Sequence, residues 1–168
     1  MKRGLKKAQM KLSFGMIFSI ILIVVFLWFS IYAIQKFLGI QRSIQITTFS
    51  ENLQNDINKM WRGSQGSQEY EYVLPKRIKK VCFVDFNQSS RGRDKDIYSD
   101  LKMAYFGSEN MIFYPVGSGE GLDSKEIKHI NIERITSADN PFCIDNIKGK
   151  IKMTIKMMPG ENLVTITE

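Results

Sequence analysis

Between Leu12 and Ile34 the chain carries no charged residue: LSFGMIFSIILIVVFLWFSIYAI. A helix rises about 1.5 Å per residue, so this run spans roughly 34 Å against a hydrocarbon core of about 30 Å. Only helices and closed barrels satisfy their backbone polar groups in lipid, so the run reads as one transmembrane helix. Trp28 and Tyr32 stand toward its C-terminal end, where interfacial aromatics are common. A core helix of a soluble protein rarely reaches this length without a charge. A cleaved secretory signal has an apolar region of only about 7–15 residues before a small-residue cleavage site. Ile31–Gly39 contains no A-x-A pattern of that kind.

The pattern then changes to an amphipathic one. Ile46, Phe49, Leu53, Ile57 and Met60 recur at spacings of 3, 4, 4 and 3. That period puts them on one helical face, with Asn52, Asn55, Asn58 and Lys59 on the other. Residues 35–62 therefore read as a helical stalk whose apolar stripe packs on the following domain or on a partner's helix. Thr48-x-x-Glu51 matches a capping box, which predicts a kink and a second helical start near Phe49. Residues 63–67, Gly-Ser-Gln-Gly-Ser, have the chemistry of a linker.

Residues 68–168 read mainly as strands: Glu69–Leu74, Ile78–Phe86, Met111–Val116, Ile127–Ile135 and Phe142–Ile144, with a short helix at Ile97–Phe106. The clearest pattern comes last. Ile151, Met153, Ile155 and Met157 alternate with Lys150, Lys152, Thr154 and Lys156, the period-two signature of a half-buried strand. Pro159–Asn162 then turns into Leu163–Thr167, predicting a C-terminal hairpin. The expected fold is a single N-terminal transmembrane α-helix continuing into a helical stalk. A mainly antiparallel β domain follows, sandwich-like, extracytoplasmic and containing one short helix.

Charge decides the orientation. Lys2, Arg3, Lys6, Lys7 and Lys11 precede the apolar run, whereas Lys36 and Arg42 are the nearest cations after it. Cytoplasmic flanks carry the excess of Lys and Arg. Segment 1–11 is therefore expected in the cytoplasm and the C-terminal region outside the cell membrane. The formal net charge is +7, from 24 basic and 17 acidic residues; setting the five N-terminal cations aside leaves an excess of two. The basic balance thus reports an anchor beside anionic lipid, and no nucleic-acid surface is expected.

An outside location permits disulfides. Cys82 and Cys143 lie in strand-like runs and have one intramolecular pairing, the alternative being two buried free thiols. Asn87-Gln88-Ser89 is an N-x-S sequon in a polar loop, a candidate for glycosylation on the outer face. Other candidates are weaker. Lys76, Arg77, Lys79 and Lys80 read as a solvated strand edge or a contact for polysaccharide or lipid head groups. Asp85, Asn87 and Ser89 alternate as calcium ligands do, but Ser90 stands where an EF-hand needs glycine, and Arg91 and Arg93 oppose a cation. Gly117–Gly121 matches neither phosphate-binding glycine motif and reads as a turn. His129 has no evident nucleophile partner. No catalytic, cofactor-binding or metal-ligating residue is assigned, and no enzymatic activity is expected.

Lys6-Lys7-Ala8-Gln9 before a long apolar helix resembles the processing site of archaeal type IV pilin-like, class III prepilin-like, surface proteins. The resemblance implies a cut between Ala8 and Gln9 by a membrane-embedded peptidase, a helix that enters a filament core, and a β-rich head outside. Two positions depart from the family's pattern: Lys11 adds a charge at the start of the apolar stretch, and Ser13 stands where many pilins carry a glutamate. The function expected is that of a membrane-anchored structural or interaction protein. Its partners would be the bilayer and either copies of itself or other surface subunits. The alternative is an envelope glycan- or small-ligand-binding module, which needs a concave face lined by aromatics such as Tyr70, Tyr72, Tyr105 and Tyr114.

Overall fold

A computed structural model describes residues 14–63, 65–105 and 107–168. The basic segment 1–11, the Ala8 and Gln9 of the expected processing site, Leu12 and Ser13 lie outside the described residues. The chain divides into two compact units, the second being Gln41–Glu168.

Helix α1 covers Phe14–Arg62 without interruption. In the first unit every described residue from Phe14 to Leu38 is exposed, and the helix is long and apolar enough to cross a membrane. Its two serines are satisfied within the helix: Ser19 Oγ donates to the Gly15 carbonyl at 2.8 Å and Ser30 Oγ to the Phe26 carbonyl at 2.7 Å. Such back-bonding lets a hydroxyl sit in an apolar helix without an orphaned donor. The capping box at Thr48 is not used, because Thr48 lies inside α1 and no second helix begins there. A four-residue cap motif cannot outweigh an unbroken i→i−4 ladder whose next two turns are anchored by buried side chains.

In the second unit the stripe of α1 is core: Ile46, Phe49, Leu53 and Ile57 are buried. The helix ends as the sequence implies, with the Gly63 N–H donating to the Lys59 and Met60 carbonyls and with Lys59 and Arg62 in the last turn, where cations complement the dipole. Strand β1 (Gly66–Val73) follows at once, so Gly66 and Ser67 belong to a strand. It pairs antiparallel with β6 (Lys150–Met157), Tyr72 opposite Ile151 and Tyr70 opposite Met153. Beyond β6 lies β7 (Thr165–Thr167), with Ile155 opposite Ile166. The alternation read in residues 150–157 is realised: Ile151, Met153, Ile155 and Met157 are buried. On the other face Lys150 reaches Glu71 at 2.6 Å, while Lys152 stands 3.7 Å from Glu71 and 3.8 Å from Glu69.

The second sheet has the order β4 (Ser124–Lys125), β3 (Met111–Tyr114), β2 (Lys80–Phe83), β5 (Phe142–Asp145), all antiparallel. Its two faces have different neighbours. Val81, Phe83, Phe113 and Ile144 join one large core with α1 and the first sheet. Cys82, Ile112 and Cys143 face the opposite way, beneath Tyr98 and Leu101 of α2 (Lys95–Ala104). Phe49 bridges the sheets, edge-on to Tyr72 at 5.4 Å and 5.8 Å from Phe113. The expected sandwich is therefore revised: two antiparallel sheets share their core with the stalk helix.

Ile127–Ile135 is not a strand. The Asn110 side chain takes both backbone groups of Ile127, at 2.8 and 2.9 Å, in place of a neighbouring strand. His129 adopts a left-handed φ of 64°, and Asn131 caps the short helix α3 (Ile132–Ile135) through the Arg134 N–H. Short polar side chains that bond the local backbone compete with ladder formation. The C-terminal hairpin exists but is shorter than expected, because Val164 leaves it to bond the backbone of His129 and Asn131.

Candidate functional site

Cys82 and Cys143 are bonded. They stand directly opposite one another in the β2–β5 register, and both are fully buried. The bond closes a sequence separation of 61, which removes loop-closure entropy from the unfolded chain worth roughly 4 kcal/mol.

The loop carrying the sequon is built from Asp85 and Asn140. Asp85 Oδ1 accepts from the Asn87 N–H at 2.9 Å, the local turn bond typical of an Asx residue, which leaves Asn87 exposed at the turn. Asn140, with no exposed surface, spans the loop from the other side. Its Nδ2 donates to the carbonyls of Asp85 at 2.9 Å and Ser89 at 3.2 Å, and its Oδ1 accepts from the Asp85 N–H at 3.1 Å. The backbones of Arg91 and Asn140 also bond reciprocally. Sequence reading missed Asn140; its only signal was an Asn-Pro turn, which says nothing of a loop more than fifty positions away. Asp85 is thus committed to loop structure. Asp94 is committed to cations, 2.9 Å from Lys80 and 3.4 Å from Arg93. Among the described residues no three His, Cys, Asp or Glu side chains gather where a metal ion would sit.

His129 packs as a structural ring. It lies flat on Trp61 with centroids 3.9 Å apart, and its Nδ1 stands 3.0 Å from Asn58 Oδ1. Both partners belong to α1, and neither is a nucleophile. Gln54 fixes the adjoining backbone, accepting from the Lys128 N–H at 2.9 Å. The Gly117–Gly121 segment is an ordered turn in which the Asp123 carboxylate accepts from the N–H groups of Gly119 and Gly121. Glu120 is held there by Arg42 at 3.0 Å and by Arg77.

The basic cluster separates into paired and unpaired members. Lys80 binds Asp94 and, at 3.2 Å, Asp145. Burial pulls its ammonium toward lower pKa, but the two carboxylates outweigh that and raise it. Arg77 takes Glu120. Lys76 and Lys79 are exposed, and among the described residues neither has a carboxylate partner.

The four tyrosines do not line one face. Tyr72 is buried in the main core and donates to Asp56 at 2.9 Å; Tyr70 stacks beside it. Tyr105 and Tyr114 pack against the smaller cluster, across the second sheet. A groove of about 530 Å³ runs along the β5–β6 corner, lined by Glu69, Lys152, Ile147 and Glu168 among others, and among the described residues no aromatic ring lines it.

Comparison with known proteins finds no matching family model, no matching curated protein and no matching solved structure.

Proposed function

We propose that this chain is a single-pass membrane protein that displays its second unit outside the cell as a structural or interaction subunit. One observation carries the reading: the helix from Phe14 to Leu38 is wholly apolar apart from isolated polar residues and Lys36, and it is exposed along its whole length. Apolar surface of that extent does not persist in water and marks contact with lipid or protein. Five cations before the run favour a cytoplasmic N-terminus. The Cys82–Cys143 bond suits an oxidising exterior.

The sharper form of the reading is a pilin-like subunit, cut between Ala8 and Gln9, whose helix meets neighbouring copies. The Lys6-Lys7-Ala8-Gln9 motif and the plan of one long helix bearing a β-rich head support it. Intact-mass analysis of protein purified from its own cells tests this form. Loss of residues 1–8 is the expected result, and retention removes the pilin-like version while leaving the anchor. Surface proteolysis of intact cells tests the display itself. The second unit should be digested together with known surface proteins; survival of that unit alone overturns the reading.

A further inference from the structure

We propose that the end of the second unit at which the chain enters is a docking surface for anionic phospholipid. The proposal rests on the membrane-anchor reading and adds a second contact with the bilayer, made by loops rather than by the helix.

Topology gathers this surface. The chain enters the unit at Gln41 and runs up α1, then returns down β1: Gly66 lies beside Met60, whereas Tyr72 and Val73 lie beside Ile44 and Gln45. Every loop at the β1 exit therefore sits at the entry end. Three segments meet there, 75–79, 115–122 and 146–149. They are tied to one another and to α1. The Leu74 N–H donates to the Gly149 carbonyl at 3.0 Å and the Lys79 N–H to Tyr114 at 2.7 Å. Asn146 Nδ2 donates to the carbonyls of Pro75 and Ile78, and Glu120 holds Arg42 and Arg77 together. Lys148 and Gly149 both have positive φ, 57° and 93°, and Ile147 and Lys150 exchange backbone bonds across them. That is the geometry of a tight two-residue hairpin turn, and it holds Ile147 and Lys148 at a rigid tip.

The tips carry the chemistry of a lipid interface. Ile147 is 68% exposed, Val116 42% and Leu122 41%. Around them Lys76, Lys79 and Lys148 are exposed, and among the described residues none has a carboxylate partner. The acids of this end are already engaged: Glu120 by two arginines, Asp123 by backbone N–H groups, Asp145 by Lys80. Exposed apolar side chains ringed by lysines without a carboxylate partner, Lys79 donating only to the Lys76 carbonyl at 3.1 Å, fit acyl boundary and anionic phosphate together. Chain length permits the contact. Only residues 35–40 join the apolar run to Gln41, about 10 Å if helical, which is comparable with the head-group layer. Because the loops are already ordered, docking loses little conformational freedom.

The test uses the full chain, one copy per lipid nanodisc, in phosphatidylcholine with and without phosphatidylglycerol, read by amide hydrogen exchange. The backbone N–H groups of 116–122 and 146–149 should exchange several-fold more slowly with phosphatidylglycerol present. Lys76→Glu, Lys79→Glu and Lys148→Glu together should abolish the difference while protection of β6 shows that the head is folded. Ile147→Ser with Val116→Ser is the second variant and should reduce it. Equal exchange in both lipids, with the chain still resisting an alkaline wash, overturns the docking surface and leaves the anchor standing. Release of the chain by that wash overturns the anchor and this proposal with it. Protection that ignores lipid charge and rises with copies per disc assigns the surface to a second copy and overturns the lipid proposal.

Discussion

At the scale of single residues, the side chain on which most depends is one with no chemistry of its own. Asn140 fills both of its hydrogen-bonding roles inside the protein, and three loop carbonyls or N–H groups of 85–89 have it as a partner. Replacing it by alanine strands the buried Asp85 N–H, while the Asp85 carbonyl keeps the Gln88 N–H and exposed Ser89 can turn to water; a buried group left unmade costs about 1–3 kcal/mol. Asn140→Ala should destabilise the second unit by roughly 1–3 kcal/mol in denaturant unfolding. It should also raise exchange at the N–H groups of 85–91 more than at β6. An unchanged midpoint would mean that water replaces the asparagine. Asn87 depends on this scaffold, since its exposed turn is held by Asp85 and, through Asp85, by Asn140.

At the scale of elements, α1 changes character along its length. Its first turns expose apolar surface on all sides, and its last turns bury one stripe. Leu53 is at the centre of that stripe with no exposed surface. Leu53→Ala removes its packing and opens a cavity, an exchange that costs about 2–5 kcal/mol in tightly packed cores. The loss should appear in the unfolding of the second unit, while recovery of the chain in membranes stays unchanged. Asn55→Ala, at an exposed α1 position, raises helix propensity and should leave that stability unchanged or slightly higher; a loss there equal to that at Leu53 would show that core packing does not govern the result. The stripe was readable because its spacing is unambiguous. Residues 127–135 were misread because isolated apolar positions, Ile127, Ile130 and Ile135, are buried from a loop and a single helical turn. Burial without a repeating backbone carries no period.

At the scale of the whole molecule, buried hydroxyls set a pH limit. Burial, reinforced by the bond to Asp56, raises the Tyr72 pKa far above its ordinary 10.0. Burial also raises Tyr70, Tyr98 and Tyr105. Each group keeps its proton in the folded state where the unfolded chain would lose it. The associated stability is complete below the unfolded value and is lost as pH climbs past it. Unfolding midpoints should therefore hold steady from neutral pH to about 9 and fall above about 10. One retained proton contributes a slope of about 1.4 kcal/mol per pH unit. Lys80, whose pKa its two carboxylates raise, acts in the same direction. Tyr72→Phe should shallow the alkaline slope; a slope identical to that of the unaltered protein would assign the effect to other groups.

What could be read from the chain's order of residues was whatever depends on local repetition. An uncharged apolar run, a helical stripe, a strand alternating through residues 150–157 and a pair of cysteines in strand-like runs each announce themselves within a short window. Contacts between distant segments leave no such trace. The single core that α1 shares with two sheets, the grip of Asn140 on a loop more than fifty residues earlier, the stacking of His129 on Trp61 and the gathering of three loops, two of them bearing lysines, beside Arg42 arise only when the chain closes on itself. The physical reason is that periodicity reports which face of an element avoids water, whereas what meets that face depends on shape and on free energy shared across the fold.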